Sequence, residues 1–301
     1  MLNIRKILVP VTFEDAALTH SSLCTIQRAA WLARRYHAEV ILLHVVSSLT
    51  YPYGLLERGH EITARDLENH AVHRAQELLD HAPLPCVDGI AVARLLRRGN
   101  PAREICDTAA AANADLIVLS KSEYGALYPL LLGSVTAKVL HHTECAVWAC
   151  TDSKDTPEGS SIERILCAVE LHGHSHFTVS LAAELAASLN AALTLVHVAD
   201  SVETWGPGGY WVDPAWKATI VSFASEEIAK LQRKMGTDFE VIIDCGNVSE
   251  LLNRAAEHTK ADVLVVGHIP GRSHLGDNGN GYGIMSQSRI PVLSVGARDP
   301  R

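Results

Sequence analysis

Residues 114–118 read Ala-Asp-Leu-Ile-Val and residues 261–265 read Ala-Asp-Val-Leu-Val, a near repeat 147 positions apart. Working outward from this pair, Gly99-Asn100-Pro101 recurs as Gly246-Asn247-Val248 at the same spacing, and Leu43-His44-Val45 recurs as Val196-His197-Val198 at a spacing of 153. Arg5-Lys6-Ile7-Leu8-Val9 matches Arg164-Ile165-Leu166-Cys167, with Ile7 on Ile165 at 158, and Ala146-Val147-Trp148 matches Pro291-Val292-Leu293 at 145. The matches keep their order while the spacing falls steadily. That is the mark of a duplicated domain whose second copy has shorter connections. A chain of 301 residues is also about as long as a single core can grow. The two copies are expected at residues 1–152 and 162–301. The polar stretch Thr151–Ser161, TDSKDTPEGSS, reads as the linker, because it cannot bury enough apolar surface to order itself.

Within each copy, short β-branched runs alternate with stretches of helical spacing. In the first copy Ile7–Val11, Val40–Val46, Ile90–Leu96, Leu116–Ser120 and Ala146–Cys150 read as strands. Ser21–Tyr36, Ala64–Leu79, Pro101–Ala112 and Ser134–His142 read as the helices between them. The second copy repeats the order, up to a turn-rich stretch Gly276–Gly283 that leaves too few residues before Pro291 for the last helix. Unbroken apolar strands separated by helices require a parallel sheet covered on both faces. The fold class is therefore α/β: two tandem doubly wound five-stranded parallel-sheet (Rossmann-like) domains. The final strands, Ala146–Cys150 and Pro291–Val295, are short and apolar and need cover, so the halves should pack there as a pseudo-dimer.

Composition narrows the function classes. Lys plus Arg total 26 against 34 Asp plus Glu, a formal net charge of −8, which argues against a binder of nucleic acid or anionic membranes. Apolar runs such as Val40–Val46 stop well short of the roughly 20 residues a membrane span needs. Met1–Pro10 lacks a secretory pattern, and cytoplasmic residence is the expectation. Seven cysteines without a C-x-x-C pair indicate neither a disulfide framework nor a zinc ribbon. His172, His174 and His176 alternate in ELHGHSHF, but on a loop without a further ligand set, so no metal is expected. No Gly-x-Ser-x-Gly, Walker lysine loop or Ser-His-Asp order nominates a catalytic residue.

In an open parallel sheet, ligands sit beyond the carboxyl ends of the strands. The segments that flank those ends are KILVPV (6–11) and RILCAV (164–169), VILLHV (40–45) and LTLVHV (193–198), GNPAREI (99–105), ADLIVLS (114–120) and LLLGSVTAKVLHHTECAVW (130–148). Together they resemble the universal stress protein family, over nearly the whole chain as two tandem copies. The resemblance implies a stress-response role, nucleotide-responsive and non-catalytic, with ATP the cofactor to test and a homodimer as a further association. Nucleotide-binding members carry an aspartate after the first strand and a G-x2-G-x9-G-S or G-T loop after the fourth.

Carried over by position, the first copy offers Thr12 in place of the aspartate, then Val40, Gly99, Ser120, Gly133 and Ser134, with Ser120 and Glu123 where the earlier glycines belong. A carboxylate and a non-glycine side chain there oppose close approach of phosphate. The second copy offers Val169, Glu170, Leu193, Gly246, Gly267, His268, Gly271, Gly281 and Tyr282, so nucleotide is expected there in preference. Two rivals stand beside this reading: an ATP-hydrolysing member using the second copy, and a binding module for another small ligand or protein. The module would use the aromatic cluster Trp205, Tyr210, Trp211 and Trp216. His44 and His197 end buried strands and are read as hydrogen-bonded structural residues.

Overall fold

The computed structural model describes residues 4–47, 64–121, 132–151, 161–171, 175–199, 204–206, 209–211, 214–268 and 280–296. The first copy runs β1 (Lys6–Pro10), β2 (Phe13–Glu14), β3 (Ala17–Leu18), α1 (His20–Tyr36), β4 (Glu39–Val46), α2 (Ala64–His81), β5 (Val92–Arg98), α3 (Pro101–Ala112), β6 (Leu116–Ser120), α4 (Ser134–His142) and β7 (Ala146–Cys150). The second runs β8 (Arg164–Ala168), α5 (Ser175–Leu189), β9 (Ala192–Ala199), β10 (Thr204–Gly206), β11 (Gly209–Trp211), α6 (Pro214–Met235), β12 (Glu240–Cys245), α7 (Val248–Thr259), β13 (Val263–His268), α8 (Asn280–Gln287) and β14 (Val292–Gly296). Three features depart from the sequence reading. Small antiparallel ribbons, β2–β3 and β10–β11, follow the first strand of one half and the second strand of the other. The second copy also builds its last helix, α8, where too few residues were expected to allow one.

The repeated residues explain why the repeated elements form. In the Ala-Asp motif, Asp115 Oδ2 accepts the backbone amides of Arg5 at 2.7 Å and Lys6 at 3.0 Å. Asp262 Oδ2 does the same for Glu163 and Arg164, both at 2.8 Å. Each carboxylate thereby fixes the entry of its copy's first strand beside the fourth. In the Gly-Asn motif, Gly99 and Gly246 take φ of 146° and 149°, which L side chains rarely adopt. Asn100 and Asn247 then cap α3 and α7, accepting the amides of Arg103 and Glu250. Alanine at either asparagine should cost about 1 kcal/mol, read as a lower urea midpoint with unchanged slope.

Each half orders its strands alike, and the halves fuse into one ten-stranded sheet, β12-β9-β8-β13-β14-β7-β6-β1-β4-β5. All neighbours are parallel except β7 and β14, which pair antiparallel as Ala149–Val292, Trp148–Leu293 and Val147–Ser294. Trp148 and Leu293 are counterparts in the repeat, so this pair is its own image and marks an approximate two-fold axis between the halves. One apolar layer gathers α1, α2, α5 and α6 against one face, around Ile26, Leu79, Val179 and Ile228. The other gathers α3, α4, α7 and α8, around Ile105, Val139, Leu252 and Met285.

The seam extends beyond the strand pair. At the end of α1, Arg35 donates to the Ser188 carbonyl of α5, and the Tyr36 hydroxyl lies 2.6 Å from Ser188 Oγ. Gly296 passes so close to the first half that a Cβ there would sit 2.7 Å from the Glu144 carbonyl oxygen. Because that neighbour is backbone, Gly296→Ala should cost about 1–3 kcal/mol, measured by urea unfolding.

Candidate functional site

The strand ends are held by the histidines of the repeat. His44 Nδ1 donates to the Val11 carbonyl at 2.8 Å and His197 Nδ1 to the Val169 carbonyl at 2.7 Å, each ring fastening the turn that leaves the first strand of its copy. Phe13 packs edge-on against the His44 ring, with centroids 5.1 Å apart.

At the family's aspartate position, the first half holds a knot of hydroxyls. Thr12 donates its amide to Ser22 Oγ at 2.8 Å, and its Oγ1 lies 2.9 Å from Thr19 Oγ1. Thr19 in turn caps α1, accepting the Ser22 amide. This cluster is neutral and turned in on itself. The second half presents Glu170, exposed just beyond β8, with its backbone carbonyl accepting the Ser175 hydroxyl at the start of α5. Val40 and Leu193 are buried within the second strands of their copies. Gly99 and Gly246 donate their amides back to Val46 and Ala199, both at 3.1 Å, and lead into the asparagine caps.

After the fourth strands the halves diverge. The Ser120 carbonyl accepts the Thr136 hydroxyl at 2.8 Å, and Gly133, the residue before α4, donates its amide to the Lys121 carbonyl at 2.7 Å. Ser134 begins the helix. In the second half Gly267 is needed for packing, because a Cβ there would lie 2.7 Å from Thr178 Oγ1 on α5. His268 is buried, with Nδ1 on Ser294 and Nε2 on the Thr143 carbonyl of the first half, so its ring belongs to the seam. Gly281 and Tyr282 fall inside the first turn of α8, where the sequence reading has a turn-rich loop and no helix. Glu123, Gly271, His172 and His174 lie outside the described residues.

In the aromatic cluster, Trp205 pairs with Tyr210 and Thr204 with Trp211 across the β10–β11 ribbon. Trp216 is 62% exposed on α6, and Phe223, two turns on, is 57% exposed. His176 is exposed in the first turn of α5. Among the described residues, no three His, Cys, Asp or Glu side chains gather closely enough to hold a metal ion, and no helix is long and apolar enough to cross a membrane.

The residue missed in the sequence is Lys121. Its Nζ donates to the carbonyls of Ser288 at 2.8 Å and Ile290 at 3.1 Å, across the seam. Burial pushes the amine down to about 7, opposed by the Cys150 thiol. A signal was available, since Lys121 and His268 stand 147 positions apart, directly matched in the repeat.

The family model of the universal stress proteins matches residues 3–151 and again 161–295. The chain belongs to the universal stress protein family. A universal stress protein of Methanothermobacter thermautotrophicus is 28% identical over 145 residues, 48% of this chain and 92% of that protein, so it corresponds to one copy. A universal stress protein of Archaeoglobus fulgidus superposes with a TM-score of 0.67, covering 97% of this chain and 98% of its own at 17% identity. A Pseudomonas aeruginosa chain gives a TM-score of 0.64 at 18% identity, covering 97% of this chain and 93% of its own. At such identities the two structures establish a shared fold, and they share it across both halves.

Proposed function

We propose that this universal stress protein responds to an adenine nucleotide at the strand ends of its second half and catalyses no reaction on it. The contrast at the aspartate position carries the reading. In the first half, Thr12 supplies no charge and its hydroxyl is engaged with Thr19 and Ser22. In the second, Glu170 keeps an exposed carboxylate beyond β8, suited to ribose hydroxyls. The first-turn amides of α8, those of Gly281 and Tyr282 among them, have no partner within the helix and carry its positive end, which suits phosphate. Val169, Leu193, Gly246 and Gly271 complete the second-half set. Gly267 is the weakest member, since packing against Thr178 already accounts for it.

Calorimetric titration of ATP with magnesium tests this. The wild type should bind one equivalent, Gly281→Val should weaken binding at least tenfold, and Gly133→Val should leave it unchanged. Loss confined to Gly133→Val overturns the assignment, and no heat in the wild type overturns nucleotide response altogether. A second reading, a protein-binding module, is favoured by one observation: Trp216 and Phe223 share an exposed face of α6.

A further inference from the structure

Two contacts close opposite ends of the β7–β14 ladder, and they fall at matching positions of the repeat. Lys121 follows β6 and donates from Nζ to the carbonyls of Ser288 and Ile290, just before β14. His268 ends β13, and its Nε2 meets the Thr143 carbonyl at 3.2 Å, just before β7. Thr143 and Ser288 are 145 positions apart, the spacing of the final strands themselves. The two-fold relation therefore uses one contact twice, with an imidazole at one end and an amine at the other.

The two ends meet a proton differently. A carbonyl oxygen only accepts, so Nε2 of His268 donates to Thr143, and Nδ1, 2.8 Å from Ser294 Oγ, accepts the hydroxyl. The neutral ring is satisfied. At the other end an uncharged amine has two N–H donors, and two carbonyls receive them. An ammonium brings a third donor and a full charge into a position where Lys121 is only 5% exposed. The titratable group acting on it among the described residues is Cys150, at the end of β7. Arg28 of α1 acts on the same thiol. α8 contributes no charged side chain, and Arg289, beside Ser288, is engaged with Glu257.

We propose that Lys121 is a proton-gated latch between the halves: uncharged, it holds the end of α8 and the start of β14 against β6, and charged, it lets that end of the seam open. Burial holds the amine to about 7, so the latch changes state near neutral pH. The opening also reaches the strand-end loops, because the Lys121 carbonyl accepts the Gly133 amide at the entrance to α4. The proposal goes beyond the nucleotide reading and does not depend on it.

Hydrogen exchange of the intact chain between pH 6 and pH 9, corrected for intrinsic exchange rates, reads the latch directly. Peptides covering residues 284–293 should lose about tenfold in protection on going from pH 8 to pH 6, while a β4 peptide does not. Lys121→Met, which cannot titrate, should abolish that drop, and Lys121→Arg, charged throughout, should show low protection at both values. The proposal is overturned if residues 284–293 follow the β4 peptide at every pH, or if Lys121→Met keeps the drop. Should the methionine variant fail to fold, the wild-type and arginine profiles decide the matter by themselves.

Discussion

Trp148→Ala is expected to lower the free energy of unfolding by about 3–5 kcal/mol, the range for large aromatic side chains removed from well-packed cores. Trp148 is 1% exposed and heads the fully buried side chains by volume. It lies in the middle of β7, opposite Leu293 on the approximate two-fold axis, in an apolar layer that contains residues of both halves. The guanidinium of Arg28 stands 5.8 Å from its ring centroid and 5.4 Å from that of Trp31, an arrangement that suits a partly desolvated cation. The indole nitrogen is buried and has no hydrogen-bond partner. An unpaired buried donor is a cost, so the residue is retained for its volume and its ring face. Trp148→Phe, which removes that donor along with part of the volume, should therefore cost less than half as much as the alanine change. Urea unfolding followed by far-ultraviolet circular dichroism measures both. A phenylalanine variant as unstable as the alanine variant would show that the indole nitrogen contributes after all.

What could be read from the sequence is what local chemistry repeats. Asp115 and Asp262, Asn100 and Asn247, and His44 and His197 each do the same job in both copies, bonding to backbone at a fixed place in the chain. Such jobs demand one residue type, so duplication preserved them visibly. Helix α8 was hidden because Asn280-Gly281-Tyr282-Gly283 has the composition of a turn. Tertiary packing overrides that propensity: Met285 is buried, and Gly283 lets Ser249 of α7 approach to where a Cβ would lie only 2.8 Å away. The need of the final strands for cover was legible, and so was the match of Lys121 with His268 in the repeat, but not what either residue bonds to. Lys121 and His268 bond to main-chain carbonyls, and a carbonyl acceptor leaves no trace in the sequence of its partner. At the candidate site, the packing use of Gly267 and the closed hydroxyl cluster around Thr12 were not legible, because they depend on side chains far off in sequence or on rotamers.

Stability is expected to rise from pH 7 to pH 9 and to level off above it, a profile set by Lys121, Cys167 and Cys106. The folded Lys121 amine is held near 7 while the unfolded chain keeps it near 10.5, so between those values the unfolded state carries more protons. Stability then increases with pH: the burden of the buried charge is fully present below about 7 and relieved as pH climbs. For a group so little exposed, integration between pH 7 and 9 gives a gain of about 2 kcal/mol. Burial acts oppositely on thiols, pushing Cys167 up to about 12 and Cys106 to about 11, the latter helped by Asp107. Above pH 9 the unfolded chain ionises these thiols while the native chain does not, which offsets the gain that Lys121 keeps adding up to about 10.5, so the curve flattens. Cys106 is only half-buried, so Cys167 should account for most of the offset. Urea midpoints at pH 7, 8, 9 and 10 report the curve, and two variants divide it by cause. Lys121→Met should remove the rise and leave a fall above pH 9, whereas Cys167→Ala should preserve the rise and carry it on past pH 9. A wild-type curve level from pH 7 to 9, or a rise that survives in Lys121→Met, would mean that the amine is already charged in the folded protein and that the carbonyls of Ser288 and Ile290 suffice to hold it so.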